Sequence, residues 1–267
     1  MKNLIDRAKQ FKYNSLEHFN LSDMYDTKVC INNRECIFFY SSLSQKAKID
    51  WAVNSKETFF DGLDKTIDMI SQNKSFKKII IEFIPVEYVP EMEEYGFKIT
   101  SEWIDYWNNN LKTINVNHPK FLSIRKIKEN EYSIASKVTK SCIGYSREYN
   151  GESTEWIKEW DEKNNSAVFV AEVDNKVIGV CCVSLYGNKS KKETVLWLRE
   201  IAVTPKYHSK KIGFNLMSFA INWGIKNGAK RSFLACDIEN KKAIKLYEGL
   251  GYKRKSKRGQ INMEMSI

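Results

Sequence analysis

The sequence predicts an α/β protein made of two domains. In the second half, apolar runs rich in β-branched residues alternate with segments whose apolar residues recur every three or four positions, and the first half repeats this order more weakly. A polar, asparagine-rich stretch, Asn108–Pro119, separates the halves and has the composition of a linker. We therefore expect domains at residues 1–117 and 118–267.

Short runs of β-branched and aromatic residues indicate the strands of the first half, and one-sided apolar spacing indicates its helices. The predicted strands are Cys36–Ser42, Lys48–Val53, Lys77–Ile84 and Lys98–Trp107, and the predicted helices are Phe59–Asn73 and Tyr88–Tyr95.

The same signals predict the elements of the second half. The strands are Phe121–Ile127, Ala167–Val173, Val177–Leu185, Glu193–Val203 and Arg231–Asp237, and the helices are Glu129–Cys142, Thr154–Trp160, Phe214–Lys226 and Asn240–Leu250. Asp174-Asn175-Lys176 has the composition of a hairpin turn. Asn240 is suited to cap the last helix and Gly251 to end it. We expect a final hairpin, Tyr252–Lys257 with Ile261–Ile267.

The two halves are related by an internal repeat. Ile79–Phe97 parallels Phe233–Tyr252 in its order of strand, helix, glycine and aromatic residue. The second half has a basic loop after its strand Glu193–Val203, whereas the first half has only Asn54–Thr58 at the matching place. We expect the first copy to lack an anion site.

Composition excludes several classes of protein. A hydrophobic content of 42% and an aromatic content of 13% indicate a globular chain. No apolar run reaches the ~20 residues of a membrane helix, and Met1–Arg7 lacks the apolar segment of a signal peptide. We expect a cytoplasmic protein with no membrane partner.

The cysteines and histidines do not form the spacing of a metal site. The six cysteines contain no Cys-x-x-Cys pair, and the three histidines, His18, His118 and His208, lie far apart in the sequence. We expect free thiols in a reducing compartment and no bound metal.

Charge is divided unevenly between the halves. Residues 1–117 carry a net charge of −2 and residues 118–267 a net charge of +12. The second half alone therefore favours an anionic partner, for which a nucleic acid, an anionic lipid and a phosphorylated cofactor all qualify.

The most informative segment is Leu198–Leu216, a predicted strand, a tight basic loop and a helix start. Main-chain N–H groups at a helix N-terminus, surrounded by lysines, favour phosphate or pyrophosphate binding. Glu200 lies in the otherwise apolar strand and is a candidate base. Strand alternation would put it on one face with Leu198 and Ala202.

Two motifs resemble those of the GCN5-related N-acetyltransferases, the GNAT superfamily. Val203–Gly213 is similar to the acetyl-CoA motif Gln/Arg-x-x-Gly-x-Gly/Ala after a strand ending Val-x-Pro. Asn240–Tyr252 resembles Asn-x-x-Ala-x-x-Leu-Tyr-x-x-x-Gly-Phe more closely, and Met263-Glu264-Met265 resembles the usual final strand. His208 replaces the usual Gln or Arg, and Lys211 the first glycine.

The resemblance covers residues 121–267 well and residues 30–107 in outline. It implies two tandem GNAT-like domains, each a mostly antiparallel mixed sheet flanked by helices. The first copy would be degenerate and the second complete and catalytic.

The resemblance also implies roles for individual residues. Strands splayed around Ile201–Val203 and Leu234–Cys236 would take the pantetheine arm of acetyl-CoA, with the N–H of Val203 or of a neighbouring residue at the thioester oxygen. Glu200 would be the general base, acting through water, and Tyr247 the general acid for the departing thiolate. The expected cofactor-binding residues are Ile201, Ala202, Val203, His208, Ser209, Lys210, Lys211, Ile212, Gly213, Phe214, Asn240, Ala243 and Tyr247.

Simpler roles stay open for five of these residues. Glu200 could lie on the surface or pair with Arg199, Tyr247 could be a core tyrosine, and Asn240 could only cap its helix. Lys210 and Lys211 could belong to a solvated basic loop.

Three functions remain open for the whole chain. The favoured one is acetyl transfer from acetyl-CoA to a small primary amine, by direct attack in a ternary complex and without a metal. The Gly144–Trp160 segment and the first domain would shape the acceptor site. A non-catalytic acyl-CoA-binding or regulatory module is the second, and His208 and Lys211 motivate it. Nucleic-acid binding by the basic half is the third and is disfavoured, because no such motif is present. A monomer and a homodimer are both compatible.

Overall fold

The computed structural model describes residues 2–16, 26–115, 119–187 and 193–267. The predicted domain boundary between residues 117 and 118 lies outside these ranges, as do His18 and His118. The chain divides into two compact units, one of Met1–Glu102 with Gln260–Ile267 and the other of Trp103–Gly259.

Helices and strands alternate through the described residues. The helices are α1 (Lys2–Ala8), α2 (Lys56–Ser71), α3 (Val89–Glu94), α4 (Tyr132–Lys140), α5 (Thr154–Glu162), α6 (Ile212–Lys226) and α7 (Lys241–Gly249). The strands are β1 (Tyr13–Asn14), β2 (Thr27–Asn32), β3 (Cys36–Leu43), β4 (Lys46–Val53), β5 (Lys78–Ile84), β6 (Lys98–Asn108), β7 (Leu122–Lys126), β8 (Ser166–Val173), β9 (Lys176–Tyr186), β10 (Val195–Val203), β11 (Arg231–Asp237), β12 (Lys253–Arg254) and β13 (Gln260–Ser266).

The first unit is built on a mixed sheet with the order β2-β3-β4-β5-β13, followed by the first residues of β6. β4 and β5 are parallel, whereas β2–β3, β3–β4 and β5–β13 are antiparallel. Helix α2 covers one face through Phe59, Leu63 and Ile70, which are fully buried with the apolar residues of β4 and β5.

The second unit has the sheet order β6-β11-β10-β9-β8-β7, with β6 contributing from Trp103 onward. Only β10 and β11 are parallel among the described pairs of this sheet. Helix α6 packs on one face through residues such as Leu216 and Ala220. Helices α4 and α5 pack on the other face, where Ala135 and Ile157 are buried.

The mixed α/β fold predicted from the sequence is confirmed, and so is its repetition. Each unit contains a strand, a helix and a parallel strand, namely β4-α2-β5 and β10-α6-β11. A short helix follows in both and ends near a glycine with positive φ, Gly96 at 92° and Gly251 at 83°. Helix α1 and strands β1 and β2 were not predicted.

The predicted final hairpin is wrong. β12 pairs with β6, whereas β13 pairs with β5 of the first unit. Ile261 and Met263 of β13 are fully buried in the core of that unit, which explains the choice of partner. The compact units consequently divide within β6 and again after Gly259.

Among the described residues, no helix is both long and apolar enough to span a bilayer.

Two helical glycines give a matched test of packing. An added Cβ at Gly62 of α2 would lie 2.3 Å from the Phe38 ring, whereas one at Gly249 of α7 would meet nothing within 4 Å. We expect Gly62→Ala to destabilise the protein by about 1–3 kcal/mol through overpacking. Gly249→Ala should be neutral or stabilise it by at most about 1 kcal/mol. Urea denaturation measures both, and equal midpoints would contradict the packing at Gly62.

Candidate active site

The second unit contains an opening between two neighbouring strands. β10 and β11 pair in parallel only from Val195–Trp197 against Arg231–Phe233, although both strands continue past these residues. Beyond Trp197 they part. The opening lies where the sequence resemblance implied splayed strands.

A main-chain donor faces this opening at the end of β10. The Thr204 N–H donates to the Ile178 carbonyl at 2.8 Å, so Thr204 belongs to a hydrogen-bonded pair of the β9–β10 ladder. Because such pairs alternate in antiparallel strands, the N–H and C=O of Val203 point away from β9. They therefore point toward the edge that β11 has left.

The start of α6 lies beside the same edge. An added Cβ at Gly213 would lie 3.3 Å from Leu246 and 3.9 Å from Val203, so α6, α7 and β10 meet there. Lys211, the N-cap of α6, has φ of 60° and makes no side-chain cap bond in the described structure. The first-turn N–H groups of α6, which include those of Ile212, Gly213 and Phe214, thus lack a side-chain acceptor and suit an anion.

The loop before α6 is held by its own side chains. His208 Nε2 lies 2.6 Å from the Val203 carbonyl, and its ring meets the Tyr145 ring edge-on at 5.1 Å. His208 therefore fastens the loop to β10. The ammonium group of Lys210 lies 5.2 Å from the Tyr207 ring centre, and Ser209 and Lys211 are exposed.

The corresponding opening in the first unit is filled. β4 and β5 pair in parallel up to Ile49 and Ile81, and both strands then continue. The Trp51 Nε1–H donates to the Glu82 carbonyl at 3.0 Å, and the Trp51 ring lies 4.8 Å from that of Phe59. Ser55 caps α2 by accepting from the Thr58 N–H. In the first unit, side chains thus occupy both the opening between the parallel strands and the N-terminus of the helix that joins them. The second unit leaves the corresponding opening and helix N-terminus available.

Glu200 is a buried carboxylate on β10, with 8% of its surface exposed. Its Oε1 accepts from the Tyr149 hydroxyl at 3.1 Å. Burial, which disfavours the charged form, raises the pKa of Glu200 from 4.5 to about 7. The nearby Arg199 charge and the hydrogen bond from Tyr149 oppose this rise in pKa, and Glu152 adds to it.

The prediction that Glu200 shares a strand face with Leu198 and Ala202 is right for Ala202 and wrong for Leu198. The β9–β10 register shifts between Leu198 and Glu200, which marks a β-bulge at Arg199. Leu198 therefore packs with α6, whereas Ala202 packs with α4 and α5 on the opposite face, the face where Tyr149 packs and contacts Glu200. Simple alternation fails here because the bulge adds one residue.

Arg199 pairs with a different carboxylate. Its Nη2 lies 3.5 Å from Glu152 Oε1, and its guanidinium lies 5.3 Å from the Trp156 ring and 5.9 Å from the Trp197 ring. Because Arg199 pairs with Glu152, Tyr149 is the side chain that hydrogen-bonds to the Glu200 carboxylate.

Tyr247 lies in the core of the second unit, and Asn240 caps helix α7. Tyr247 is 7% exposed, and its ring lies 6.4 Å from Tyr106 and 6.5 Å from Tyr252. Burial raises the pKa of Tyr247 well above its usual 10, and the Glu200 charge adds to the rise, so the phenol keeps its proton at neutral pH. Asn240 caps α7, accepting from the Ala243 N–H at 3.2 Å.

A pocket of about 510 Å³ lies at the loop 144–150, opposite Asp237 and Glu239. Arg147 makes two-pronged hydrogen bonds to Asp237, at 2.8 to 3.1 Å. The sequence pattern predicts a role for this segment but not for Tyr149, Arg147 or Asp237 individually. The position of Asp237 at the end of an apolar strand is a sequence signal that could have identified it. Arg147 and Tyr149 lie in a loop without periodicity, so the sequence offers no such signal for them.

In the described ranges, no group of three or more His, Cys, Asp or Glu side chains is arranged to hold a metal ion. All six cysteines are free thiols.

Comparison with known sequences gives a family match for the second half of the chain. Residues 128–252 match the family model described as the Acetyltransferase (GNAT) family. A protein of Methanocaldococcus jannaschii, described as an uncharacterized N-acetyltransferase, is 32% identical over 102 residues, which cover 38% of this chain and 45% of that protein. The chain spans between 40% and 61% of the curated relatives that it matches.

Solved structures share the fold along most of the chain. A GCN5-related N-acetyltransferase from Sphaerobacter thermophilus has a TM-score of 0.61 at 11% identity, covering 86% of this chain and 76% of that one. A tandem GNAT protein from the clavulanic acid biosynthesis pathway also has a TM-score of 0.61 at 11% identity, covering 90% and 83%. Residues 128–252 therefore match the GNAT family of acetyltransferases, and most of the chain has the fold of a tandem GNAT protein, as the motifs predicted.

The raised pKa of Glu200 predicts a pH-dependent stability. Since the folded pKa of about 7 exceeds the usual 4.5, the carboxyl stabilises the fold below pH 4.5, and this contribution is lost as the pH rises through 7. Glu200→Gln, which stays neutral, should exceed the parent in unfolding free energy at pH 8 by up to about 3 kcal/mol. Near pH 4.5 the two should be similar.

Urea denaturation at both pH values measures this difference. The exposed Glu155→Gln is the matched control and should show no such difference. A Glu200→Gln protein no more stable than its parent at pH 8 would show that the carboxylate is not buried as described.

Proposed function

We propose that the chain transfers an acetyl group from acetyl-CoA to a small primary amine by direct attack in a ternary complex. The observation that carries the proposal is the opening between β10 and β11, with the α6 N-terminus beside it and the β10 carboxylate of Glu200 close by. The match of residues 128–252 to the GNAT family supports acetyl-CoA as the donor, because acetyl-CoA supplies the activated acetyl thioester in that family.

The residues at the opening fit such a donor. The first-turn N–H groups of α6, from Ile212 to Phe214, would bind the pyrophosphate, and Lys211 would add charge. Gly213 leaves room there, since a Cβ would already contact Leu246 at 3.3 Å. The edge of β10 from Ile201 to Val203 would hydrogen-bond the pantetheine arm, with the Val203 N–H at the thioester oxygen.

Two side chains would move the protons. Glu200, with its pKa near 7, would accept a proton from the acceptor ammonium and leave the amine free to attack. Tyr247, protonated at neutral pH, would donate to the thiolate that leaves. Each group therefore begins in the protonation state that its step needs.

A non-catalytic acyl-CoA-binding module is the second candidate. Lys211 in place of glycine, and a His208 side chain folded onto Val203 instead of facing the loop's outer surface, favour it. Turnover distinguishes the two candidates.

The filled opening of the first unit predicts one acetyl-CoA site per chain. Titration calorimetry should give a stoichiometry of one, and saturating ligand should raise the melting temperature. Gly213→Leu should weaken binding at least about tenfold by placing a side chain against Leu246. Ser55→Ala, which uncaps α2 in the first unit, should leave the affinity unchanged. Two equivalents of ligand per chain would contradict the prediction.

The proton-transfer roles predict two inactive variants with intact donor binding. Glu200→Gln and Tyr247→Phe should each lower kcat by about 10²-fold or more, with acetyl-CoA affinity near that of the parent. The exposed Glu155→Gln is the control. Parent-like rates in both variants would refute these roles. A parent that binds acetyl-CoA but acetylates none of a broad amine panel would favour the binding module.

A further inference from the structure

The Tyr149 side chain links Glu200 to the pocket at loop 144–150. The residues lining this 510 Å³ pocket include Tyr149 and Asp237, and among the described lining residues Glu200 does not occur. Tyr149 is half-buried and lines the pocket, and its hydroxyl lies 3.1 Å from Glu200 Oε1. One phenol thus contacts both the pocket and the buried carboxylate.

We propose that Tyr149 is a catalytic residue that relays the acceptor's proton from this pocket to Glu200. The inference rests on the proposed function, with the amine in the pocket and Glu200 as its base. It replaces the water that the sequence suggested between them.

The relay is balanced in atoms and charge. An N–H bond of the ammonium breaks, and its proton bonds to a lone pair of the Tyr149 oxygen. The original Tyr149 O–H bond breaks at the same time, and that proton bonds to Glu200 Oε1. The products are a neutral amine, a neutral tyrosine and a protonated Glu200.

The other charged and titratable groups near Glu200 do not line this pocket. The charged and titratable groups that interact with Glu200 are Arg199, Glu152, Tyr149, Tyr247, Cys142, Cys181 and Cys182. Arg199 is paired with Glu152, and the three thiols are buried. Burial and the Glu200 charge raise the pKa of Tyr149, so it remains a proton donor to that carboxylate.

Tyr149→Phe tests the relay, since it removes the hydroxyl and keeps the ring. Tyr132→Phe is the matched control, because Tyr132 is also buried on this face and donates to a carboxylate, Asp161, at 3.2 Å. We measure kcat for a primary-amine acceptor across pH 6 to 9, the acceptor KM, and acetyl-CoA affinity for the parent, both variants and Glu200→Gln.

The relay predicts that Tyr149→Phe lowers kcat by about 10- to 100-fold at every pH, including the plateau above the pKa of Glu200. Acetyl-CoA affinity and acceptor KM should stay within about threefold, and Tyr132→Phe should match the parent. The solvent deuterium isotope effect on kcat should fall in Tyr149→Phe, because fewer protons move together.

The pH profile separates a relay from a role in tuning the carboxylate. If Tyr149 only stabilises the Glu200 charge, its loss raises that pKa, and kcat recovers to the parental plateau by pH 9. That recovery would overturn the relay. An active parent with an inactive Glu200→Gln and a parent-like Tyr149→Phe would overturn the relay and leave the proposed function intact. A parent without turnover would overturn both.

Discussion

The early parting of β10 and β11 is the constraint on which the candidate site depends. Parallel strands normally exchange hydrogen bonds along their length, and here the exchange stops after Trp197. The bulge at Arg199 accompanies this change and turns Glu200 toward the α4–α5 face. The parting thus leaves the Val203 N–H facing the edge that β11 has left, and the bulge aims the Glu200 carboxylate at Tyr149.

The two units show how one topology can support or lose a site. In the first, Trp51 bonds to the Glu82 carbonyl within the opening, and Ser55 caps the helix. In the second, α6 begins at the left-handed Lys211 without a side-chain cap. The difference lies in side chains, since both units keep a parallel strand pair joined by a helix.

The buried carboxylate links stability to the proposed chemistry. Placing Glu200 in a water-poor environment costs free energy when it is charged, and the same burial brings its pKa to about 7. A base with that pKa is half ionised near neutral pH, which suits proton abstraction from an amine. At a pH where Glu200 is charged, we therefore expect the protein to have a lower free energy of unfolding than a variant with a neutral residue at this position.

The sequence by itself determined the α/β order, the internal repeat, the family motifs and the cap at Asn240, because these depend on local periodicity and on residues close in the chain. It also singled out Glu200 and Tyr247. Only the tertiary structure decided the bulge at Arg199, the pairing of β13 with β5, and the contact of Tyr149 with Glu200. These join residues about 50 to 180 positions apart or alter a strand's register. Strand pairing, register and long-range contacts depend on which core buries each side chain, and a local sequence pattern contains no information about that.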